Sequence, residues 1–294
     1  MDRRVEKVDP DKGDGPEGRS GAGAFHLEEL GEGHPPLVLL HGFGASNFSW
    51  RLWAPALKER HRLLLVELKG FGRGSIQRSR GFGPDEQSRE LQGALREWGV
   101  SNPVLVGHSF GGGVALMTAL ALQEAGAPAT ALVLVCPAIY PQRLPPFIAA
   151  ARVPVMGELL FTLLPPTVLM TLALDRITHS SVQVSREQVH GYAEPLRSLR
   201  RRYAMIRAAR ELFPDDHPGL LRRIPSLRSP TLVVWGRQDP VIPWALGARL
   251  TEDLPDARLS TVEDCGHIPM EERPEESLAP VLQFLEGVAK AATD

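Results

Sequence analysis

Short apolar runs alternate with longer amphipathic segments along most of the chain. The apolar runs predict β-strands at about residues 25–30, 36–41, 62–68, 103–107, 131–137, 230–235 and 257–262. The segments between them predict helices near residues 48–59, 84–98, 110–125, 243–253 and 274–290. Because strands and helices alternate, the pattern predicts an α/β fold with a mostly parallel central sheet and helices on both faces.

The alternation stops between Pro137 and Pro230, where the chain has helical periodicity, many prolines and no clear strand. We therefore expect an α/β core from residues 25–139 and 219–294, and a helical insertion from residues 140–218. Residues 1–24 are rich in glycine and charge and lack an apolar run, so they are predicted to be a flexible N-terminal arm. They do not resemble a signal peptide, which needs an apolar stretch of about 7–15 residues.

The insertion contains a strongly apolar stretch at residues 146–174. A membrane-spanning helix needs about 20 uninterrupted apolar residues. This stretch is interrupted by Arg152, Pro154, Glu158, Pro165 and Pro166, so no transmembrane span is predicted. We expect its apolar side to pack on the core.

Six arginines of the insertion cluster on what the pattern indicates is one helix. A charged helix face usually points to solvent, so a solvated face is the favoured interpretation. An anionic surface as a partner is the alternative. The arginines are Arg197, Arg200, Arg201, Arg202, Arg207 and Arg210.

The sequence Gly107-His108-Ser109-Phe110-Gly111 lies between a predicted strand and a predicted helix. This context is typical of a nucleophile elbow, a tight turn that exposes a serine hydroxyl. Gly107 and Gly111 lack the Cβ atoms that would clash in such a turn. Ser109 is therefore the candidate nucleophile.

Three further segments supply the groups that a serine nucleophile needs. Asp239 follows the strand at 230–235, and His267 follows the strand at 257–262, which gives the chain order Ser, Asp, His. The imidazole of His267 would take the serine proton, and Asp239 would fix its tautomer. The backbone N–H groups of Phe43, in a glycine-bracketed turn, and of Phe110 are the candidate oxyanion hole. His41 in the first turn is expected to hold the loop by hydrogen bonds.

Four motifs together resemble the α/β-hydrolase superfamily over roughly residues 25–290. They are His41-Gly42-Phe43-Gly44, Gly107-His108-Ser109-Phe110-Gly111-Gly112, Gly236-Arg237-Gln238-Asp239 and Gly266-His267-Ile268-Pro269. The resemblance implies that the insertion forms a cap above Ser109. The chain departs from the family where relatives often carry Asp-x-Pro-Gly-x-Gly-x-Ser, since it has Glu67-Leu68-Lys69-Gly70-Phe71-Gly72-Arg73-Gly74-Ser75 there.

The leading functional hypothesis is a serine hydrolase that cleaves esters of small to medium apolar acids through an acyl-enzyme. Phe161, Leu164 and Met170 of the insertion are predicted to line the acyl pocket. A carbon–carbon bond hydrolase of ring-cleavage products, an acyltransferase and a non-turnover small-molecule receptor of the same fold remain alternatives. Haloalkane dehalogenases and epoxide hydrolases use an aspartate at the elbow, so a serine at position 109 argues against both.

Composition adds mainly exclusions. The net charge is −2, which does not indicate a nucleic-acid partner. No spacing of histidines, cysteines or carboxylates predicts a metal site, and no cofactor is expected. Cys136 and Cys265 are expected to be reduced, buried thiols, as in a cytoplasmic protein. The expected partner is a small-molecule ester substrate.

Overall fold

The computed structural model describes residues 25–76 and 81–291, and the predicted N-terminal arm lies outside them. Seven strands form one sheet in the order β1-β3-β2-β4-β5-β6-β7. Their bounds are β1 His26–Leu30, β2 Leu37–Leu40, β3 Leu63–Glu67, β4 Val104–His108, β5 Ala131–Val135, β6 Thr231–Gly236 and β7 Ala257–Val262. All seven predicted strands are present. β5 ends two residues early, because Cys136 takes a φ of 42° and Pro137 follows it.

The sheet is parallel except at one edge, where β1 runs antiparallel to β3. Every residue of β2, β3, β4, β5 and β6 is buried, which explains why these strands read as continuous apolar runs. The predicted mostly parallel α/β sheet is therefore confirmed. The carboxyl ends of its parallel strands meet at one edge.

Twelve α-helices are found among the described residues. The predicted helix at 48–59 is wrong as a single element: a 3₁₀ turn at Asn47–Trp50 is followed by a separate short helix. Pro55 lacks an N–H, so it suits the first turn of a new helix and not the interior of a long one. The helices are α1 Ala54–Leu57, α2 Pro84–Glu97, α3 Phe110–Glu124, α4 Pro146–Arg152, α5 Met156–Leu163, α6 Pro166–Ile177, α7 Arg186–Ala193, α8 Leu199–Arg210, α9 His217–Arg223, α10 Trp244–Asp253, α11 Pro269–Glu272 and α12 Pro274–Ala291.

Helices α4 to α9 occupy the interval between β5 and β6, where the helical insertion is predicted. Helices α4, α5 and α8 pack against one another, and α6 packs against α7. No single helix among the described residues has the length and apolarity to cross a membrane. The pair α4 and α5 meets that test together, with a bend of 117° between the two helices.

The arginines of α8 do not share one environment, so the predicted solvated face is wrong in part. Arg202 is buried, and its guanidinium donates hydrogen bonds to the carbonyls of Phe161 and Leu164 at the end of α5. A guanidinium in this position satisfies carbonyls that a helix end leaves without partners. Arg200 of α8 is exposed to solvent. Arg197 is also exposed, but it lies in the 3₁₀ turn Pro195–Arg197 before α8, so the six arginines do not share one helix as predicted.

Candidate active site

Ser109 occupies a strained turn between β4 and α3. Its φ and ψ are 50° and −116°, outside the regions that residues with a side chain ordinarily adopt. A Cβ on Gly107 would lie 2.5 Å from the carbonyl oxygen of Gly111, and a Cβ on Gly111 would collide with the carbonyl of His41. The turn therefore requires glycine on both sides of the serine.

Ser109, His267 and Asp239 form a continuous chain of hydrogen bonds. The Ser109 Oγ lies 2.9 Å from His267 Nε2, and His267 Nδ1 lies 2.7 Å from Asp239 Oδ2. The other carboxylate oxygen of Asp239 accepts the backbone N–H groups of Val241 and Ile242 at 2.8 and 2.9 Å. The three residues follow β4, β7 and β6, so the common edge of the sheet brings them together. With Asp239 accepting from Nδ1–H, the imidazole presents a basic Nε2 to the hydroxyl.

Phe43 and Phe110 lie in the turns predicted to supply the oxyanion hole. Within residues 25–76 and 81–291, neither backbone N–H donates to a protein acceptor. The ring of Phe71 packs edge-on against both phenylalanines, with centroid distances of 5.2 Å to Phe43 and 5.8 Å to Phe110. The ring of Phe71 thus holds the two turns together. Nothing in the sequence singled out this residue.

The imidazole of His41 is neutral and holds the turn that contains Phe43 by two hydrogen bonds. Its Nδ1 donates to the Gly42 carbonyl at 2.9 Å, and its Nε2 accepts the Leu68 N–H at 3.0 Å. Complete burial lowers the pKa of the ring, which agrees with one donating and one accepting nitrogen. This geometry supports the loop-holding role expected for His41.

His108 forms a hydrogen bond with the backbone of His267, the candidate catalytic base. Its Nε2 donates to the His267 carbonyl at 2.8 Å, and the two rings lie 5.0 Å apart. Burial lowers the pKa of His108 well below its ordinary value, so the ring is neutral. Its Nδ1 is buried without a hydrogen-bond partner. His108 lies in the elbow motif, but sequence reasoning gave it no role.

Glu272 holds the loop of His267, and sequence reasoning missed it. Its side chain is buried and accepts the N–H groups on both sides of the histidine, Gly266 at 2.9 Å and Ile268 at 3.0 Å. It also accepts the N–H of His179, which follows α6 of the insertion, at 2.8 Å. The His267 N–H itself donates to the Ile177 carbonyl at the end of α6. The insertion and the histidine loop are therefore joined directly.

Cys136 lies beside the acid of this chain. Its Sγ, a ring nitrogen of His267 and a carboxylate oxygen of Asp239 are all within 4.8 Å of one another, close enough to hold a metal ion. Burial raises the pKa of the Cys136 thiol well above its ordinary value, so it stays a neutral S–H next to the carboxylate. His267 Nδ1 and Asp239 are already bound to each other. The arrangement therefore suits a hydrogen-bonded triad better than a metal centre.

The residues predicted to line an acyl pocket lie in α5, in α6 and in the two-residue link between these helices. Phe161 and Met170 are buried, and Leu164 is half-buried. A hollow of about 450 Å³ on the insertion is lined by other residues, between Pro154 and Leu163. The acyl-pocket assignment stays a prediction.

The loop that departs from the family pattern is organised by its glutamate. The carboxylate of Glu67 is buried and accepts the backbone N–H groups of Asn47, at 3.2 Å, and Arg73. Lys69 is also buried, and its ammonium pairs with Glu90 at 3.1 Å. The loop is thus tied to its surroundings, and it places Phe71 against the two oxyanion-hole candidates.

Comparisons with known proteins identify the family and the fold. The model of a family described as "Alpha/beta hydrolase family" matches residues 37–281. The "Uncharacterized hydrolase YugF" of Bacillus subtilis is 29% identical over 256 residues, which cover 87% of this chain and 91% of the relative. A "2-hydroxy-6-oxononadienedioate/2-hydroxy-6-oxononatrienedioate hydrolase" of Burkholderia vietnamiensis is 28% identical, covering 88% and 90%. An alpha/beta hydrolase fold protein from Burkholderia ambifaria superimposes with a TM-score of 0.77 at 27% identity, covering 88% of this chain and 93% of its own.

Proposed function

Because the chain belongs to the alpha/beta hydrolase family, whose model matches most of its length, we propose that this hydrolase cleaves carboxylic esters through an acyl-enzyme on Ser109. The observation that carries the proposal is the hydrogen-bonded chain from Asp239 through His267 to Ser109. It ends at the turn of Ser109, and the backbone N–H groups of Phe43 and Phe110 donate to no acceptor among the described residues. A nucleophile, a base, an orienting acid and oxyanion donors are the parts that acyl transfer requires.

The proposed reaction proceeds in two halves. The Ser109 Oγ attacks the ester carbonyl as its proton passes to His267 Nε2, and the N–H groups of Phe43 and Phe110 stabilise the oxyanion. Collapse of this intermediate breaks the ester C–O bond, and His267 returns the proton to the departing alcohol. Water then attacks the acyl-enzyme with His267 again as the base, which releases the acid and restores the serine.

The buried charges favour a neutral substrate. Among the described residues, Lys69 and Arg202 are the buried cations, and both are already engaged. Lys69 pairs with Glu90, and Arg202 binds backbone carbonyls. A neutral ester of a small to medium apolar acid needs no cationic partner. Phe161, Leu164 and Met170 are proposed to contact its acyl chain.

Carbon–carbon bond hydrolysis is the second candidate. It is favoured by the names of relatives such as the Burkholderia vietnamiensis hydrolase, which matches nearly the whole chain. Its substrate would be an anionic dienoate, and it would use the same serine, histidine and aspartate. The buried cations already engaged in the structure argue for the ester as the better substrate.

The test compares the two substrate classes on one enzyme. We expect kcat/KM for p-nitrophenyl esters to rise from acetate to a chain between butyrate and octanoate and then to fall. Each buried methylene contributes up to about 0.8 kcal/mol, or roughly fourfold. Met170→Phe should shorten the preferred chain. A ring-cleavage dienoate turned over far faster than any ester would replace this proposal by the second candidate.

The state of the two cysteines fits a cytoplasmic location. Cys136 and Cys265 are both free and fully buried. Reduced thiols of this kind are usual in a reducing compartment. We propose that the enzyme acts in the cytoplasm on small-molecule esters.

A further inference from the structure

The insertion carries an unusual number of exposed apolar side chains. Ten large hydrophobic residues are exposed among the described residues, and eight of them lie between residues 153 and 199. Large apolar side chains exposed in one part of a fold commonly mark a contact surface. The eight are Val153, Val155, Met156, Leu159, Leu163, Val168, Leu172 and Leu199.

Helix α5 concentrates this exposure on one face. Met156, Leu159 and Leu163 are spaced three and four residues apart and are 51%, 54% and 75% exposed. Gly157 and Phe161, on the opposite face, are buried. Val155, just before the helix, is 69% exposed. We call these four exposed side chains the apolar ridge. The hollow lined by Pro154 and Leu163 follows the same face.

The insertion that carries the apolar ridge has a net positive charge. Residues 140–218 contain ten arginines, no lysine and seven acidic residues, whereas the whole chain has a net charge of −2. Glu158, the acid of α5, is neutralised by Arg210 at 2.6 Å. Arg202 of α8 donates to the carbonyl of Leu164, just after α5, so the start of α8 lies near the end of α5. Leu199 and Arg200, at the start of α8, are both exposed. Arg152, the last residue of α4, precedes the start of α5 in the chain, and its guanidinium lies over the ring of Phe213.

We propose that the apolar ridge and the arginines around it dock on the surface of an anionic lipid bilayer. At such a surface the apolar side chains would leave water for the boundary between headgroups and acyl chains. The arginines would be attracted to the anionic headgroups. A second copy of the chain is a poorer occupant, because a two-fold contact would bring two positively charged insertions together. α4 and α5 have seven and eight residues, which suits a shallow interfacial position.

The insertion that carries the ridge also contacts the histidine loop, through the end of α6. An apolar ester dissolved in the bilayer would then lie next to the insertion that is predicted to cover Ser109. This consequence rests on the proposed ester hydrolysis, but the docking itself does not. A binding measurement without substrate therefore tests the docking independently of the reaction.

The first experiment uses a fluorescent probe on the ridge. Cys136 and Cys265 are fully buried, so a new surface cysteine can be labelled selectively. Leu163→Cys is labelled with the polarity-sensitive dye NBD and mixed with vesicles of phosphatidylcholine containing 30% phosphatidylserine. We expect a blue shift and an increase in emission, both reduced at high salt. The matched control is Leu52→Cys, at an exposed leucine of the α/β domain outside the insertion, where the label should not respond.

The second experiment measures co-sedimentation of the unlabelled full chain with the same vesicles. Leu159→Glu/Leu163→Glu should lower the bound fraction at least tenfold, and Arg197→Gln/Arg200→Gln should lower it severalfold. Leu52→Glu and Arg228→Gln/Arg258→Gln, which change exposed residues outside the insertion, should bind like wild type. Circular dichroism and thermal denaturation check that each variant is folded.

Three results would overturn the proposal. The first is equal binding by wild type and Leu159→Glu/Leu163→Glu. The second is no binding to phosphatidylserine vesicles and no response of the Leu163 label. The third is a wild-type dimer that the double glutamate variant converts to a monomer, without lipid binding, which would assign the ridge to a second copy.

Discussion

Replacing Glu272 should lower turnover by misplacing a histidine that Glu272 does not touch. The carboxylate accepts three backbone N–H groups, from Gly266, Ile268 and His179, in a site where the residue is 5% exposed. In Glu272→Gln one oxygen becomes an NH₂ group. Whichever way the amide turns, a donor then faces at least one of these N–H groups.

The magnitude follows from these contacts. A hydrogen bond to a charged group contributes roughly 1.5–3 kcal/mol, so the loss of one lies within the stability of an ordinary domain, about 5–15 kcal/mol. The protein should fold, but the loop around His267 should loosen. A displacement of about 1 Å at a catalytic group can cost about a hundredfold in rate. We expect kcat for p-nitrophenyl butyrate to fall about 10- to 100-fold, with KM changed less than about threefold.

The assay must separate positioning from folding. A fluorophosphonate titration counts the chains with a reactive serine, and thermal denaturation reports stability. Positioning predicts that every chain is eventually labelled, but slowly. A purely structural role predicts fewer labelled chains with a normal rate per labelled chain. Glu275→Gln, an exposed neighbour, is the control. A Glu272→Gln enzyme with kcat within twofold of wild type would refute the reasoning.

Three other substitutions test separate parts of the site. Asp239→Asn should lower kcat by about 10⁴, because the amide favours the wrong tautomer of His267; near-normal turnover would place the acid elsewhere. Phe71→Leu removes the ring that joins the two oxyanion-hole candidates and should lower kcat by up to about a hundredfold, with thermal denaturation as the folding control. His108 has a pKa lowered from its ordinary 6.5, so the unfolded chain binds a proton below that pH and the folded chain does not. Stability should therefore fall as pH drops, by up to about 2 kcal/mol at pH 5 for this residue, and urea denaturation of His108→Asn should show a shallower decline.

The sequence predicted the sheet and the tight glycine-flanked turn at Ser109 because both have local signatures. Buried parallel strands appear as continuous apolar runs, and the bracketing of Ser109 by Gly107 and Gly111 reflects collisions within one turn. The prediction of one helix at 48–59 was wrong because Pro55 lies in the first turn of a separate short helix. The hydrophobic periodicity of this segment was given more weight than the proline.

The supporting residues could not be predicted, because their roles depend on distant parts of the chain. Glu272 differs from its neighbour Glu271 only in what each meets after folding: Glu272 binds the histidine loop, whereas Glu271 pairs with Arg51 at 2.7 Å. From sequence, Arg202 belongs to an arginine cluster expected to face solvent. In the structure its guanidinium is buried and donates to carbonyls about forty positions earlier in the sequence. Phe71 likewise gains its role from two turns that are far apart in sequence.

The central claim is that an ester is cleaved through a covalent adduct on Ser109. The direct measurement is acid quenching during turnover of p-nitrophenyl butyrate, followed by mass spectrometry of the intact chain and of its peptides. We predict one butyryl group per chain, located on the peptide that contains Ser109 and absent from Ser109→Ala. Continued turnover by Ser109→Ala, or an acyl group on another residue, would contradict the account.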